Sequence, residues 1–174
     1  MPDIPYSIQP AESPADLAAV RALCWDYRAA LIANSETDRQ ITETFYPVPK
    51  YETLMRDLPR LHARPRGVIL LARDPDGTPI GCGMSHPLDA ETAEIKRVYV
   101  TPAARGLGLA KALCRALIEQ ARADGYGRVV LDTSRHLPAA APLYRALGFA
   151  DRGPYQDIPS SALPHLLFFE YALT

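Results

Sequence analysis

The segment from Glu94 to Lys111 constrains the fold more than any other part of the chain. Its first half interleaves charged residues with β-branched and aromatic ones, a pattern that predicts a β-strand. Pro102 ends this strand, because proline has no N–H group to donate to a neighbouring strand. Gly106 and Gly108 then precede a helix whose apolar face is marked by Leu109, Leu113 and Leu117. Gly125 ends the helix, so the chain runs strand, glycine-rich turn, helix.

This order of elements is typical of a phosphate-binding turn. The first N–H groups of a helix lack intrahelical partners, and the helix dipole adds partial positive charge there. Gly106 and Gly108 let an anion approach the backbone, and Arg105 adds a cation at the rim. A P-loop is excluded because the chain has no Gly-Lys pair, and a dinucleotide fingerprint needs a different glycine spacing. A glycine-rich turn without any ligand is the remaining alternative.

Two motifs in this part of the chain resemble those of the GNAT acetyltransferase superfamily. Arg105, Gly108 and Ala110 match its acyl-CoA signature, Gln/Arg-x-x-Gly-x-Gly/Ala. The segment 143–149, LYRALGF, is similar to the L-Y-x-x-L-G-F sequence that ends the helix after the fifth strand of that fold. On these motifs the region from Gly67 to Phe149 is identified as a member of the superfamily. The resemblance implies acetyl-CoA as cosubstrate and direct transfer of its acetyl group to a primary amine in a ternary complex.

The resemblance also implies roles for individual residues. Tyr144 takes the position of the general acid that protonates the departing thiolate, although a tyrosine packed on the core is the alternative. His136 stands where many relatives carry an Asn that contacts the pantetheine arm. The thioester and the pantetheine arm are expected to meet the backbone N–H groups of Val98, Tyr99 and Val100. The pyrophosphate is expected to bind Arg105, Gly106, Leu107, Gly108, Leu109, Ala110 and Lys111.

The general base is less well marked in the sequence. Glu94, at the start of the organising strand, is the first candidate, acting directly or through a water molecule. Pairing of Glu94 with Lys96 or Arg97 on the sheet is the alternative. Asp132, at the end of the following strand, is the second candidate. Carboxyl groups ordinarily have a pKa near 4, so either residue needs a pKa raised by burial to accept a proton at neutral pH.

The remaining pattern predicts a single mixed α/β domain over residues 1–174, with a central mixed sheet of about six to seven strands and about four flanking helices. Residues 67–73 and 78–86 form a β-hairpin with an Asp-Gly turn, and the helix over 107–124 allows a parallel strand pair. Gly81 and Gly83 indicate close approach of a helix or of a ligand. The final strand is expected over 165–173.

The N-terminal third is expected to contribute to the acceptor site. Ser13 and Pro14 start a helix that runs to about Ile32. Residues 34–50 are expected to be a loop with at most a short helical turn, in which Phe45 and Tyr46 either cover an acceptor pocket or anchor the loop to the core. Leu54, Leu58 and Leu61 mark a second short helix. Tyr155 is expected either to line the acceptor site or to pack against the core.

Composition limits the classes of partner. The net charge of −1 predicts no binding to nucleic acid or to an anionic membrane surface. The four histidines lack metal-ligand spacing, so we expect no metal site. Neither a signal peptide nor a membrane-spanning run is present in the sequence, and the three scattered cysteines are expected to be buried free thiols, which together predict a cytoplasmic protein.

The expected acceptor is a small-molecule amine or an amino acid. A CoA-binding sensor or partner module without transfer activity is the alternative function, and a nucleotide-phosphate enzyme is disfavoured by the missing Walker and metal-ligand residues. By analogy with the family, a homodimer is expected in which the apolar final strand supplies an edge.

Overall fold

A seven-stranded open sheet forms the centre of the computed structural model, which describes residues 5–173. The outer positions of the predicted domain, residues 1–4 and 174, lie outside the described part. Across the sheet the strand order is β1-β2-β3-β4-β5-β7-β6, and only the β4–β5 pair within the described sheet is parallel. The strands are β1 (Ser7–Pro10), β2 (Val68–Arg73), β3 (Pro79–Pro87), β4 (Thr92–Val100), β5 (Arg128–Ser134), β6 (Ala150–Arg152) and β7 (Leu166–Ala172).

Helices cover both faces of the sheet. The helices are α1 (Pro14–Asn34), α2 (Glu36–Phe45), α3 (Val48–Leu61), α4 (Leu109–Ala123) and α5 (Ala140–Leu147). Helices α1 and α3 pack on one face, whereas α4 and α5 pack on the other. None of these helices in the described chain is long and apolar enough to cross a bilayer. The predicted mixed α/β architecture is confirmed, with one helix more than expected.

The sequence of β2 is apolar from Val68 to Ala72, and the structure gives the reason. Val68 and Leu70 belong to the core under α4, whereas Ile69 and Leu71 belong to the core under α1 and α3. Successive side chains of a strand point to opposite faces, so a strand covered on both sides needs apolar residues at every position. The predicted hairpin to β3 is confirmed as well, since β2 and β3 pair antiparallel around the turn at Gly77, which has φ of 85°.

Helix α4 is seated closely on β3, and the glycines of β3 make this possible. A Cβ atom at Gly81 would lie 3.1 Å from the Leu109 side chain, and one at Gly83 would lie 3.2 Å from the Leu117 side chain. Both leucines are nearly inaccessible to solvent. Of the two explanations for these glycines, close packing of a helix is therefore the one that the structure supports.

The expectation of a loop over residues 34–50 was wrong. Helix α2 occupies much of this segment, and Ser35 caps it by accepting a hydrogen bond from the Asp38 N–H at 3.0 Å. Asp38 and Thr42 are its buried residues, so the helix lacks the apolar stripe that normally reveals a helix in sequence. The capping signal, Ser followed three residues later by an acidic residue, was present.

The expected edge role of the final strand was also wrong. Strand β7 lies between β5 and β6 and pairs antiparallel with both. The short strand β6 takes the edge because the chain turns back after α5 and adds three residues outside β7. Homodimerisation itself stays a prediction, but it cannot use a free edge of β7.

The cysteines are unpaired, as predicted. Cys24 and Cys82 are fully buried in the core between α1 and the sheet, and Cys114 is fully buried under α4. Burial raises the pKa of the Cys114 thiol to about 12. The three thiols therefore act as small apolar core groups.

Gly67 offers a test of the packing at the start of β2. A Cβ atom there would lie 2.7 Å from the Ser85 carbonyl oxygen and 2.8 Å from the backbone carbon of His62. These are backbone atoms that cannot swing aside, so Gly67→Ala should lower the free energy of unfolding by about 1–3 kcal/mol in urea denaturation. Gly153→Ala is the matched control, because a Cβ atom there meets nothing within 4 Å. Equal losses in the two variants would contradict this account.

His62 offers a test of pH dependence. The side chain is 4% exposed, and burial lowers its pKa to about 4 against the opposing hydrogen bond to the Ser85 carbonyl. The unfolded chain, with a pKa near 6.5, binds more protons between these two values, so stability should rise with pH there and level off above about 6.5. His62→Gln should flatten this rise, which is on the order of 3 kcal/mol at about 1.4 kcal/mol for each pKa unit. Urea denaturation at several pH values measures it, and an unchanged slope would contradict the assignment.

Candidate active site

The parallel strands β4 and β5 begin side by side and then part. Their pairing covers Thr92–Glu94 and Arg128–Val130, although β4 continues to Val100 and β5 to Ser134. A cavity of about 140 Å³ lies at the opening. Its walls come from residues 95–98 of β4 and 131–134 of β5, together with side chains of α1, α2 and α5.

A bulge in β4 sits at this opening. Lys96 pairs with Met84 and Tyr99 pairs with Cys82, so Arg97 and Val98 together face the single residue Gly83. Arg97 has φ of 53°, in the left-handed region that a non-glycine residue rarely adopts. A bulge of this kind bends a strand and re-aims its groups, and it is frequent beside active sites.

The bulge also decides where backbone N–H groups point. The Thr101 N–H donates to the Ile80 carbonyl on β3 at 2.9 Å. Backbone groups alternate in direction along a regular strand, so beyond the bulge the N–H of Val100 faces the opening toward β5, and that of Tyr99 faces β3. Of the three backbone positions predicted to meet the thioester and pantetheine, Val100 therefore presents its N–H to the opening and Tyr99 does not, whereas Val98 lies within the bulge and lines the cavity. The Tyr99 side chain packs instead against Tyr27, with ring centroids 5.7 Å apart.

The predicted phosphate-binding residues 105–111 form one turn that leads into α4. Gly106 and Gly108 have φ of 83° and 77°, and a Cβ atom at either would meet nothing within 4 Å. Gly108 is the residue that caps α4, and it has no side chain to satisfy the first N–H groups of the helix. Arg105 is tied to the end of β4 by a hydrogen bond from its Nε to the Val100 carbonyl at 3.2 Å. The turn thus has the free donors, the open space and the adjacent cation that a phosphate group needs.

Tyr144 enters the same cavity from α5. Its ring lies 5.7 Å from the ring of Phe149 and 5.7 Å from that of Phe169, and only 8% of the residue is exposed. Burial raises the pKa of the phenol well above its ordinary value, and the nearby Cys114, Tyr27 and Asp132 act in the same direction. Tyr144 is therefore protonated at neutral pH.

Glu94 is buried and fully engaged in hydrogen bonds. Its carboxylate accepts from His86 Nε2 at 2.7 Å and from the Tyr155 hydroxyl, and Lys96 Nζ lies 3.6 Å away. Burial raises the pKa of Glu94, but these partners outweigh it and leave the pKa below its ordinary value. The raised pKa that we expected of a general base is thus not found at Glu94. The alternative of pairing with Lys96 is found, with His86 and Tyr155 in addition.

Asp132 differs from Glu94 in both position and pKa. It lines the cavity, and burial raises its pKa against the opposing charge of Lys96. The negative charge of Glu94 raises the pKa further, and the nearby Tyr155 hydroxyl lowers it. Tyr155 therefore lies between the two carboxyl groups. Tyr155 lies outside the cavity lining and packs edge-on against Phe168, with ring centroids 6.0 Å apart, so packing is the one of its two expected roles that is found.

The sequence analysis identified some of the residues that line the cavity and missed others. Tyr46 lines the cavity and also packs edge-on against Tyr51 at 6.1 Å, so both roles considered for it apply. His136 lies outside the cavity lining, with Nε2 3.1 Å from Nδ1 of His165. Arg28 and Arg97 were missed, because one lies on the polar side of α1 and the other depends on a bulge that has no signature in the residues.

The known proteins that this chain matches point to one family. The model of the Acetyltransferase (GNAT) family matches residues 35–149, which is more than half of the chain. An IAA acetyltransferase of Azospirillum brasilense is 37% identical over 140 residues, covering 79% of this chain and 86% of the relative. An uncharacterised N-acetyltransferase of Schizosaccharomyces pombe is 35% identical over 116 residues, covering 66% and 69%.

A solved structure shares the fold. The phosphinothricin acetyltransferase of the GNAT superfamily from Sinorhizobium meliloti, in complex with AcCoA, superposes with a TM-score of 0.68 at 20% identity, over 97% of this chain and 88% of that one. The family match agrees with two features of the structure, the separation of β4 from β5 and the glycine-rich start of α4. On this combined ground the chain belongs to the GNAT acetyltransferase family and is an acetyl-CoA-dependent N-acetyltransferase.

Proposed function

We propose that this protein moves the acetyl group of acetyl-CoA directly to the primary amine of a small molecule or amino acid, with both substrates bound together. The observation that carries the proposal is one cavity, between β4 and β5, that contains both a protonated phenol, Tyr144, and a carboxyl group of raised pKa, Asp132. The cavity volume of about 140 Å³ favours a small acceptor, since pockets for drug-sized ligands measure about 300–1,000 Å³.

The turn at 105–111 is assigned to the pyrophosphate of the cosubstrate. The open space at Gly106 and Gly108 admits phosphate oxygens to the backbone, and the N–H groups of Leu109, Ala110 and Lys111 are positioned to donate to them. Leu107 is 48% exposed and offers an apolar contact at the rim. Arg105 supplies the positive charge.

The opened side of β4 is assigned to the acyl end of the cosubstrate. The N–H groups of Val98 and Val100 can donate to the pantetheine arm and to the thioester oxygen as negative charge develops on it. Such donors cost nothing to reorganise during the reaction, because the strand holds them in place. The N–H of Tyr99 faces β3, so Tyr99 contributes by packing its side chain on Tyr27, which lines the cavity.

The proton transfers are assigned to Tyr144 and Asp132. The amine nitrogen forms a bond to the carbonyl carbon and the carbon–sulfur bond breaks, while Tyr144 gives its proton to the departing thiolate. Asp132 takes a proton from the ammonium form of the acceptor before the attack, and the second nitrogen proton, lost as the amide forms, replaces the proton that Tyr144 has given up. Glu94 is given an indirect role, since its negative charge raises the proton affinity of Asp132. Cytoplasmic location and homodimer formation stay predictions.

Tyr144→Phe tests the acid. Removing the hydroxyl should lower kcat for CoA thiol release by roughly a hundredfold or more, because proton donation by a positioned side chain contributes about 10²–10⁴ in rate. Affinity for CoA, measured by calorimetry, should stay unchanged. Tyr171→Phe is the matched control, since Tyr171 packs on Phe149 outside the cavity lining. CoA binding without thiol release from acetyl-CoA for any acceptor would instead favour the alternative of a binding module.

Asp132→Asn tests the base. At pH 7 the variant should lose roughly a hundredfold or more in kcat/KM, because an amide cannot accept the amine proton. The loss should shrink as the pH rises toward the pKa of the acceptor amine, since a larger share of the acceptor is then already the free amine and needs no deprotonation before attack. Glu94→Gln should give a smaller loss with the same trend. A loss for Asp132→Asn that does not change with pH would point to a structural role.

A further inference from the structure

Two arginines from distant parts of the chain meet at the wall of the cavity. Arg28 comes from α1 and Arg97 from the bulge of β4, and both line the cavity. Their Cζ atoms lie 5.8 Å and 5.9 Å from the centroid of the Tyr51 ring. The assigned reaction uses neither guanidinium group, so their presence there calls for a separate explanation.

The protein supplies no counter-charge for these two groups. Among residues 5–173 neither arginine forms an ion pair with a carboxylate. Arg28 donates from Nε to the Tyr46 carbonyl at 3.0 Å, and Arg97 Nη1 lies 4.0 Å from the Met84 sulfur. Most of the ten N–H donors of the pair therefore remain for a ligand.

The other charged groups of the cavity have partners of their own. Asp38 accepts from Asn34 at 2.7 Å and from the Ser134 hydroxyl. Lys96 lies beside Glu94, and the charge of Asp132 acts on it as well. The positive charges of Arg28 and Arg97 are therefore not balanced by a carboxylate within the described chain. Asp132 provides negative charge at the β5 wall of the cavity.

The aromatic residues around these arginines are held in place. The Tyr51 hydroxyl donates to the Cys24 carbonyl at 2.7 Å, and the Tyr51 ring packs edge-on against Trp25 at 4.8 Å. Guanidinium groups over aromatic rings lose part of their hydration, which strengthens their attraction for an anion. A carboxylate fits the fork of N–H groups that an arginine presents.

We propose that the acceptor is an α-amino acid whose carboxylate binds Arg28 and Arg97 while its amine faces Asp132. This rests on the proposed function only for the fate of the amine, since carboxylate binding can be measured without any reaction. The assignment narrows the acceptor from amines in general to amines that carry an anion. Neutral amines of the same size lack the group that the two arginines recognise.

Calorimetry on the protein saturated with CoA tests the proposal, because CoA without its acetyl group permits no turnover. Each of the standard L-amino acids is titrated beside its own C-terminal carboxamide. At least one amino acid should bind about ten to a hundred times more tightly than its amide, since a hydrogen bond to a charged group contributes about 1.5–3 kcal/mol. Arg28→Gln and Arg97→Gln should each abolish most of that preference.

Matched variants separate recognition from folding. Arg39→Gln makes the same chemical change on α2, where Arg39 is paired with Glu36 on the surface, and should keep the preference. Arg28→Lys and Arg97→Lys keep the charge and should retain part of it. Amides that bind as tightly as acids, a preference that survives both Gln variants, or no binding by any amino acid would each overturn the proposal.

Failure of the proposed function is visible separately in the same experiment. Protein that does not bind CoA in the first titration would contradict the function, yet the comparison of acids with amides can still be made on the protein alone. Turnover of neutral amines at rates equal to those of amino acids would support acetyl transfer and overturn the carboxylate assignment.

Discussion

The parting of β4 from β5 is the constraint on which the rest of the site depends. A parallel pair that stayed joined would satisfy its backbone groups internally and leave no room between the strands. Pairing ends after Glu94, β4 bulges at Arg97, and the N–H of Val100 beyond the bulge faces the gap. Donors in a partly buried gap need partners, and a bound substrate can provide them. The cavity, the two residues proposed for proton transfer and the two arginines are all arranged around this one interruption.

The surroundings of Glu94 and Asp132, two carboxyl groups near the same tyrosine, shift their pKa values in opposite directions. Glu94 has His86, Tyr155 and Lys96 as partners, which favour its ionised form. Asp132 is buried at the cavity wall and feels the charge of Glu94, which favours its protonated form. Such a separation of pKa values between neighbouring acids is the usual mark of a division of roles in an active site. It explains why Glu94, the first candidate from sequence, has the weaker case for direct contact with the amine.

The sequence predicted what local chemistry determines. Three elements were predicted correctly: the turn at Gly106 and Gly108, the Asp-Gly turn, and β2 with apolar residues on both of its faces. Each depends only on backbone conformation or on the burial of a few neighbouring residues. Helix α2 was missed because its buried residues are Asp38 and Thr42, which leave no apolar periodicity. The edge position of β6 and the meeting of Arg28 with Arg97 depend on how distant segments pack, and no pattern within either segment indicates it.

The glycines of β3 have a consequence for the length of what the protein can hold. Gly81 and Gly83 let α4 lie directly against the sheet, and this seating sets the distance between the start of α4 and the bulge of β4. In the proposed function one of these places holds the pyrophosphate and the other the thioester. On that proposal, the length of the pantetheine arm has to match the fixed distance between the start of α4 and the bulge of β4. A short acetyl thioester could occupy one end of that span but not both.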